Sequence, residues 1–392
     1  MDDEEFVKNT ARRILSIPAV SPENGGNGEL KKAEEILNIL DEMGYKNYEK
    51  YYVDDNFGVT RPNFVIKTGN FEKTLWIIVH MDTVPAGDVK LWAHDPYDVH
   101  IENGNIYARG AEDNGQGLLT ALLLLKKLDL NKMRLNLGIA FVSDEETGNT
   151  YGIKYLISKN IFKPDDLIVV PDAGTEDGNI IETAEKSVLW LKFTVRGRQG
   201  HASMPQEALN AFRLSSKFIT FFDDELHKTF SIENKMFIPS VSTFEPTKHE
   251  KNIDNINTIP GEDIFYYDCR ILPGYNLEEA IENIQKMVTD FTKKNGGEID
   301  MDVIESEPSP SFNMENSEIV LKLKDAIEKI KGKKAMTVGI GGSTFAAFLR
   351  ARNIPAAVWS TTVIENAHMP NEFCRIDDII GDVKIYEYIL YN

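Results

Sequence analysis

Cysteine is nearly absent: two in 392 residues, Cys269 and Cys374, in no CxxC or other zinc-type spacing. That excludes a disulfide framework, leaves at most one bridge between the two, and fits a reducing compartment, so a cytoplasmic location is expected. Long apolar runs are missing as well. The longest, around Leu118 to Leu125, stops at Lys126-Lys127, well short of the roughly 20 residues that span a bilayer. The opening Met-Asp-Asp-Glu-Glu-Phe is acidic and has no apolar stretch of the kind a secretory signal needs. Positive charge is scarce, 43 Lys and Arg against 62 Asp and Glu for a net charge of −19. Nucleic acid and anionic membrane, which attract clustered basic residues, are therefore disfavoured as principal partners.

What is present is an ordinary globular composition, 42% apolar. The length exceeds what one core usually supports, so two domains are expected. Residues 4–17 and 29–44 carry apolar positions at helical spacing. Asn63–Thr68 and Thr74–His80 read as strands, the second almost wholly apolar, as suits a strand buried on both faces. A helix over 115–128, a strand over 135–142, a helix over 151–159 and a strand over 166–170 continue an α/β alternation. The middle reads differently: strand 188–195, helix 208–228, strands 238–245 and 263–272, helix 277–294, strand 299–304. That β-α-β-β-α-β order is the ferredoxin-like pattern. After Glu307-Pro308-Ser309-Pro310 the alternation resumes with helix 317–330, strand 335–338, helix 344–352, strand 356–360 and a last helix from Asp377. The expectation is an α/β domain, 1–186 and 309–392, interrupted by an α+β domain over 187–308.

Polar residues of metal-binding type follow the apolar strands. His80-Met81-Asp82 ends one; in extended backbone His80 and Asp82 project to the same side, so one can bind a metal while the other orients it. Taken alone, the pair is better explained by a strand-end histidine with one ordinary hydrogen bond. Arg109 to Gly117 is a glycine-rich loop opening a helix, in which Asp113 or Asn114 could be an N-cap. Ser143-Asp144-Glu145-Glu146 puts three acids at a strand mouth, where they repel one another unless cations intervene; a solvated acidic turn explains them equally well. Val170-Pro171-Asp172 delivers another carboxylate, and Glu365 to Pro370 holds His368. Each segment alone is weak. Together, His80, Asp113, Glu146, Asp172 and His368 sit at edges that converge in α/β sheets. Two imidazoles and three carboxylates without thiolate suit two zinc, cobalt or manganese ions, with one carboxylate bridging.

On these motifs the chain resembles the M20 metallopeptidase family over nearly its whole length. That family includes dipeptidases, glutamate-type carboxypeptidases, acetylornithine deacetylase and succinyl-diaminopimelate desuccinylase. The resemblance implies a zinc-peptidase-like catalytic domain with a central mixed sheet and an inserted lid and dimerisation domain. It makes His80 a ligand and Asp82 its orienting partner, Asp113 the bridging carboxylate, Glu145 the general base, Glu146 a second-metal ligand, Asp172 a first-metal ligand and His368 the last ligand. His201, in Gly197 to Ser203, matches a lid histidine that reaches a partner subunit's site and helps hold the oxyanion. Asn257 and Arg270 resemble lid positions that bind a substrate carboxylate, although an ion pair with Asp268 or Glu262 would also explain Arg270. Gly342 and Ser343, in a strand-to-helix turn, offer backbone N–H groups to an anion, though a tight turn alone accounts for the glycines. His94, His100, His227 and His249 read as structural or solvent-facing.

Two departures stand out. Asp113-Asn114-Gly115-Gln116-Gly117 lacks the lysine of the family's frequent Asp-x-Lys-Gly. Position 172 is aspartate, as in several aminopeptidases and dipeptidases, where carboxypeptidases and desuccinylases usually carry glutamate. The implied activity is hydrolysis of an amide bond in a small N-acyl amino acid by a homodimer holding two divalent ions, zinc first and cobalt or manganese as alternatives. The nucleophile would be a water between the two ions. A dipeptidase or aminopeptidase is the rival within the family. A non-catalytic metal-dependent binding protein is the rival outside it, and would have no need of Glu145.

Overall fold

The computed structural model describes residues 2–310, 314–342 and 344–392. The chain divides into two compact units, one of Met1–Thr183, Phe312–Val338 and Thr344–Asn392, the other of Ala184–Ser311 and Gly339–Ser343.

The first unit is organised by a mixed eight-stranded sheet in the order Tyr48–Lys50, Phe64–Thr68, Asn136–Val142, Thr74–His80, Leu167–Val170, Ala356–Val358, Ile180–Glu185, Met336–Ile340. Its four central strands, from Asn136–Val142 to Ala356–Val358, run parallel. Every residue of Thr74–His80 and of Asn136–Val142 is buried, the expected consequence of helices on both sheet faces. The two-residue period divides Thr74–His80 between two cores. Leu75, Ile77 and Val79 pack with apolar residues of helices Asp3–Ile14, Leu30–Glu42, Gly117–Lys127, Glu318–Lys331 and Ile376–Tyr391. Trp76 and Ile78 pack with those of Ile153–Ser158 and Ala346–Arg350. Because the central strands are parallel, their carboxyl ends share one edge, and the segments that follow them share that rim.

The second unit is a four-stranded antiparallel sheet in the order Thr243–His249, Glu262–Ile271, Ser187–Arg196, Glu298–Glu307. Helices Ala211–Thr229 and Leu277–Asn295 complete the β-α-β-β-α-β sequence. In Ser187–Arg196 the alternate residues Leu189, Leu191, Phe193 and Val195 enter the core with Phe218, Phe222 and Ile284. Its first middle strand begins at Thr243, five residues later than the sequence pattern suggests. Pro239 has no N–H to give a ladder, and Ile238 before it is 91% exposed. No described helix is long and apolar enough to cross a membrane.

Candidate metal centre

His80 closes its strand directly beside Val142, the residue before the acidic loop. Its ring is fully buried. Nδ1 faces Asp82, 3.2 Å from the carbonyl and 3.4 Å from the carboxylate; Nε2 lies 2.8 Å from Asp113 Oδ1 and 3.2 Å from Asp172 Oδ1. Asp82, also buried, accepts the N–H of Glu145 (3.0 Å) on one oxygen and that of Glu146 (2.9 Å) on the other. One carboxylate thus orients the imidazole and the neighbouring acidic loop together.

Asp113 does not cap a helix, and neither does Asn114. The regular helix starts at Gly117, and Asp113 has extended backbone (φ −109°, ψ 97°). Its carboxylate lies between the two histidines, with Oδ2 3.0 Å from His368 Nε2. Asn114 instead donates through Nδ2 to Pro171 O (2.7 Å) and Asp172 Oδ1 (2.9 Å), fixing the other carboxylate. Two glycines permit this path. Gly110 has φ 76°, and a Cβ there would meet Thr83 Cγ2 at 2.4 Å; one at Gly117 would meet Asn114 Oδ1 at 2.4 Å.

The donor atoms form two groups, His80–Glu145–Asp172 and Asp113–Glu146–His368, each with its atoms within 4.8 Å of one another. His368 Nε2 is 3.3 Å from Glu146 Oε2. With metal bonds of about 2.1 Å, tetrahedral donors stand about 3.4 Å apart. The observed separations of 2.8 to 3.3 Å are close to that. Nitrogen and oxygen donors without thiolate fit zinc, cobalt or manganese. The electrostatics agree. Burial pushes Glu145 well above its usual range, reinforced by Asp172, and pushes Glu146 up to about 7. Hydrogen bonds to Asp113 and Glu146 raise His368 to about 10. Burial works against His80, yet the surrounding carboxylates still hold it well above an ordinary imidazole. The cluster favours positive charge, as crowded carboxylates must. The residues present therefore fit a pair of divalent ions. Glu145 falls among the potential donors beside His80 and Asp172, where the sequence reading gives it a proton-transfer role.

In the second unit His201 and Asn257 come together. Gly200–His201 pairs with Thr258–Ile259, and Asn257 O accepts the Ala202 N–H (2.9 Å). His201 is exposed, and its Nδ1 accepts from Ser203 N (3.2 Å), which leaves the ring proton on Nε2 when the imidazole is neutral. Arg270 forks onto Asp268 through Nε (2.6 Å) and Nη2 (2.9 Å), and Nη1 reaches Gly341 O (3.2 Å), next to Gly342. Ser343 lies outside the described residues. His94 and His100 stack on each other, ring centres 3.9 Å apart.

One important residue escapes the sequence reading. Glu372, fully buried, accepts the N–H groups of Gly110 (3.0 Å), Glu112 (2.9 Å) and Asp113 (3.0 Å) as well as the Arg109 guanidinium. Its only signal is its place four residues after His368.

The sequence model of Peptidase family M20/M25/M40 matches residues 76–392. An uncharacterized metallohydrolase of Methanocaldococcus jannaschii is 41% identical over 398 residues, covering 96% of this chain and 97% of the relative. A succinyl-diaminopimelate desuccinylase of Wolbachia pipientis is 27% identical over 390 residues, covering 97% and 92%. Among solved structures, an M20 family metallo-carboxypeptidase from Sulfolobus solfataricus shares the fold, with a TM-score of 0.74, 22% identity and coverage of 100% and 99%. The chain belongs to the M20/M25/M40 peptidase family and is a metallohydrolase of that family.

Proposed function

We propose that the chain hydrolyses the amide bond of a small N-acyl amino acid, as a desuccinylase or deacetylase does. The observation that carries a dinuclear site is Asp113: one oxygen faces His80 and the other His368, at 2.8 and 3.0 Å. His80 and Asp172 would hold one ion and Glu146 and His368 the other, with Asp113 shared. Bound ions supply acidification of a water and polarisation of the scissile carbonyl. Glu145, with Asp113 already supplying a carboxylate to the His80 side, is left to take the proton from the attacking water and return it to the leaving nitrogen. Asp82 keeps His80 and the Glu145 backbone in register. In the inserted unit His201, with its proton on Nε2, would donate to the oxyanion of a partner subunit's site in a homodimer. Arg270, Asn257, Gly342 and Ser343 would meet the substrate carboxylate, Arg270 by exchanging Asp268 for it.

Asp172 favours a second reading, a dipeptidase or aminopeptidase. Rates on N-succinyl-diaminopimelate, N-acetylornithine and a dipeptide panel separate the two, and comparable low rates on all of them overturn a narrow assignment. Glu145→Ala should abolish turnover with metal content unchanged. Full activity in that variant refutes the proton-transfer role, and no turnover of any amide by the native chain would favour a binding protein.

A further inference from the structure

Behind the loop that presents Glu145 and Glu146 lies a buried charge cluster whose residues belong to neither of the two donor groups. The Arg61 guanidinium, without exposed surface, forks onto Glu29, equally buried: Nε to Oε2 at 2.9 Å and Nη2 to Oε1 at 2.6 Å. Its remaining N–H groups reach Ser21 Oγ (3.1 Å), Asp55 Oδ2 (3.4 Å) and Glu23 Oε2 (3.4 Å), and Nη2 is 3.5 Å from Asp144 Oδ1. Glu29 Oε1 also accepts the Asp144 N–H at 3.2 Å. Asp144 has φ 63°, a left-handed conformation that non-glycine residues seldom adopt. It is held there by Thr147 Oγ1 on one carboxylate oxygen (2.6 Å), Tyr151 N on the other (2.9 Å) and Asn149 N on its carbonyl (2.6 Å). The adjacent Ser143 is fixed by Asn63 Oδ1 (3.0 Å) and Pro62 O (2.5 Å), so Arg61-Pro62-Asn63 braces the loop along its length. Stability alone gives little reason for such a cluster, because apolar replacements of buried ion pairs are often neutral or stabilising.

We propose that Arg61 and Glu29 are positioning residues for Glu145: acting through Asp144, they fix the left-handed turn that aims Glu145 at the His80–Asp172 side and Glu146 at His368. This rests on the reading of Glu145 as the proton carrier. The test uses the full-length chain loaded with zinc, carrying Arg61→Lys (charge kept, fork lost) or Glu29→Gln (shape kept, charge lost). Hydrogen–deuterium exchange of the 143–152 peptide, metal content and melting temperature are measured. Turnover is followed on whichever of N-succinyl-diaminopimelate, N-acetylornithine and the dipeptides is cleaved fastest. In at least one variant that folds and retains its metal, exchange should quicken locally and kcat fall about 10- to 100-fold, with KM within about threefold. Unchanged exchange, unchanged kcat, or activity lost only in step with fold or metal overturns the proposal. Glu145→Ala is run in parallel: if it stays active, the proton-carrier reading fails, while the exchange data still decide whether Arg61 and Glu29 set the turn.

Discussion

Arg109 and Glu372 form a buried ion pair that joins the segments carrying Asp113 and His368. The guanidinium also donates to His368 O (3.2 Å) and stacks over Trp92, 5.1 Å from its ring centre. Glu372 gathers the N–H groups of residues 110, 112 and 113. Two donors on either side of one proposed ion are thereby placed by a single carboxylate. Glu372→Gln leaves one acceptor where two charged oxygens stood. Metal affinity should fall about 10- to 100-fold, measured as retention during dialysis against a graded chelator. Unchanged retention would show that the loop holds itself.

Asp113 and Asp172 should differ in kind. Asp113 faces both histidines, whereas Asp172 meets only His80. Asp113→Asn should therefore release both ions and Asp172→Asn mainly one. Elemental analysis of the purified variants checks this, and equal loss from the two would contradict a shared carboxylate.

Asp382, buried in the C-terminal helix, accepts the Thr361 N–H at 2.8 Å and lies 3.8 Å from Lys331 Nζ. Burial outweighs these partners and pushes its carboxyl up to about 7. Between the ordinary value of 3.8 and about 7, the folded chain keeps a proton that the unfolded chain has released. Stability from this group therefore falls as pH rises through that window, by at most about 4 kcal/mol. Asp382→Asn keeps an acceptor for Thr361 and cannot titrate, so its stability relative to the native chain should rise from pH 4 to pH 7 in urea unfolding. A difference that is flat across that range would count against the shift.

Much of the first unit is legible in sequence because its central strands are continuous apolar runs that end at, or within two residues of, His80, Ser143 and Asp172. Those strand ends also announce the centre, since a parallel sheet brings them to one rim. What could not be read is the support. Arg109 and Glu372 are 263 positions apart, and Glu29 meets Asp144 across 115; neither pair leaves a local pattern. Asp113, taken with its own segment alone, reads as a cap because a carboxylate before a helix usually is one; its extended backbone and its distances to two histidines say otherwise. The strand expected from Ile238 begins at Thr243: apolar alternation carries no sign that Pro239 lacks the N–H a ladder needs.

The proposed dinuclear centre is tested most directly by counting divalent ions bound per chain when chelator-stripped protein is titrated with zinc. Two ions in the native chain are expected, with His80→Ala and His368→Ala each losing one. A single ion in the native chain, or full loading in both variants, would contradict a shared two-metal site.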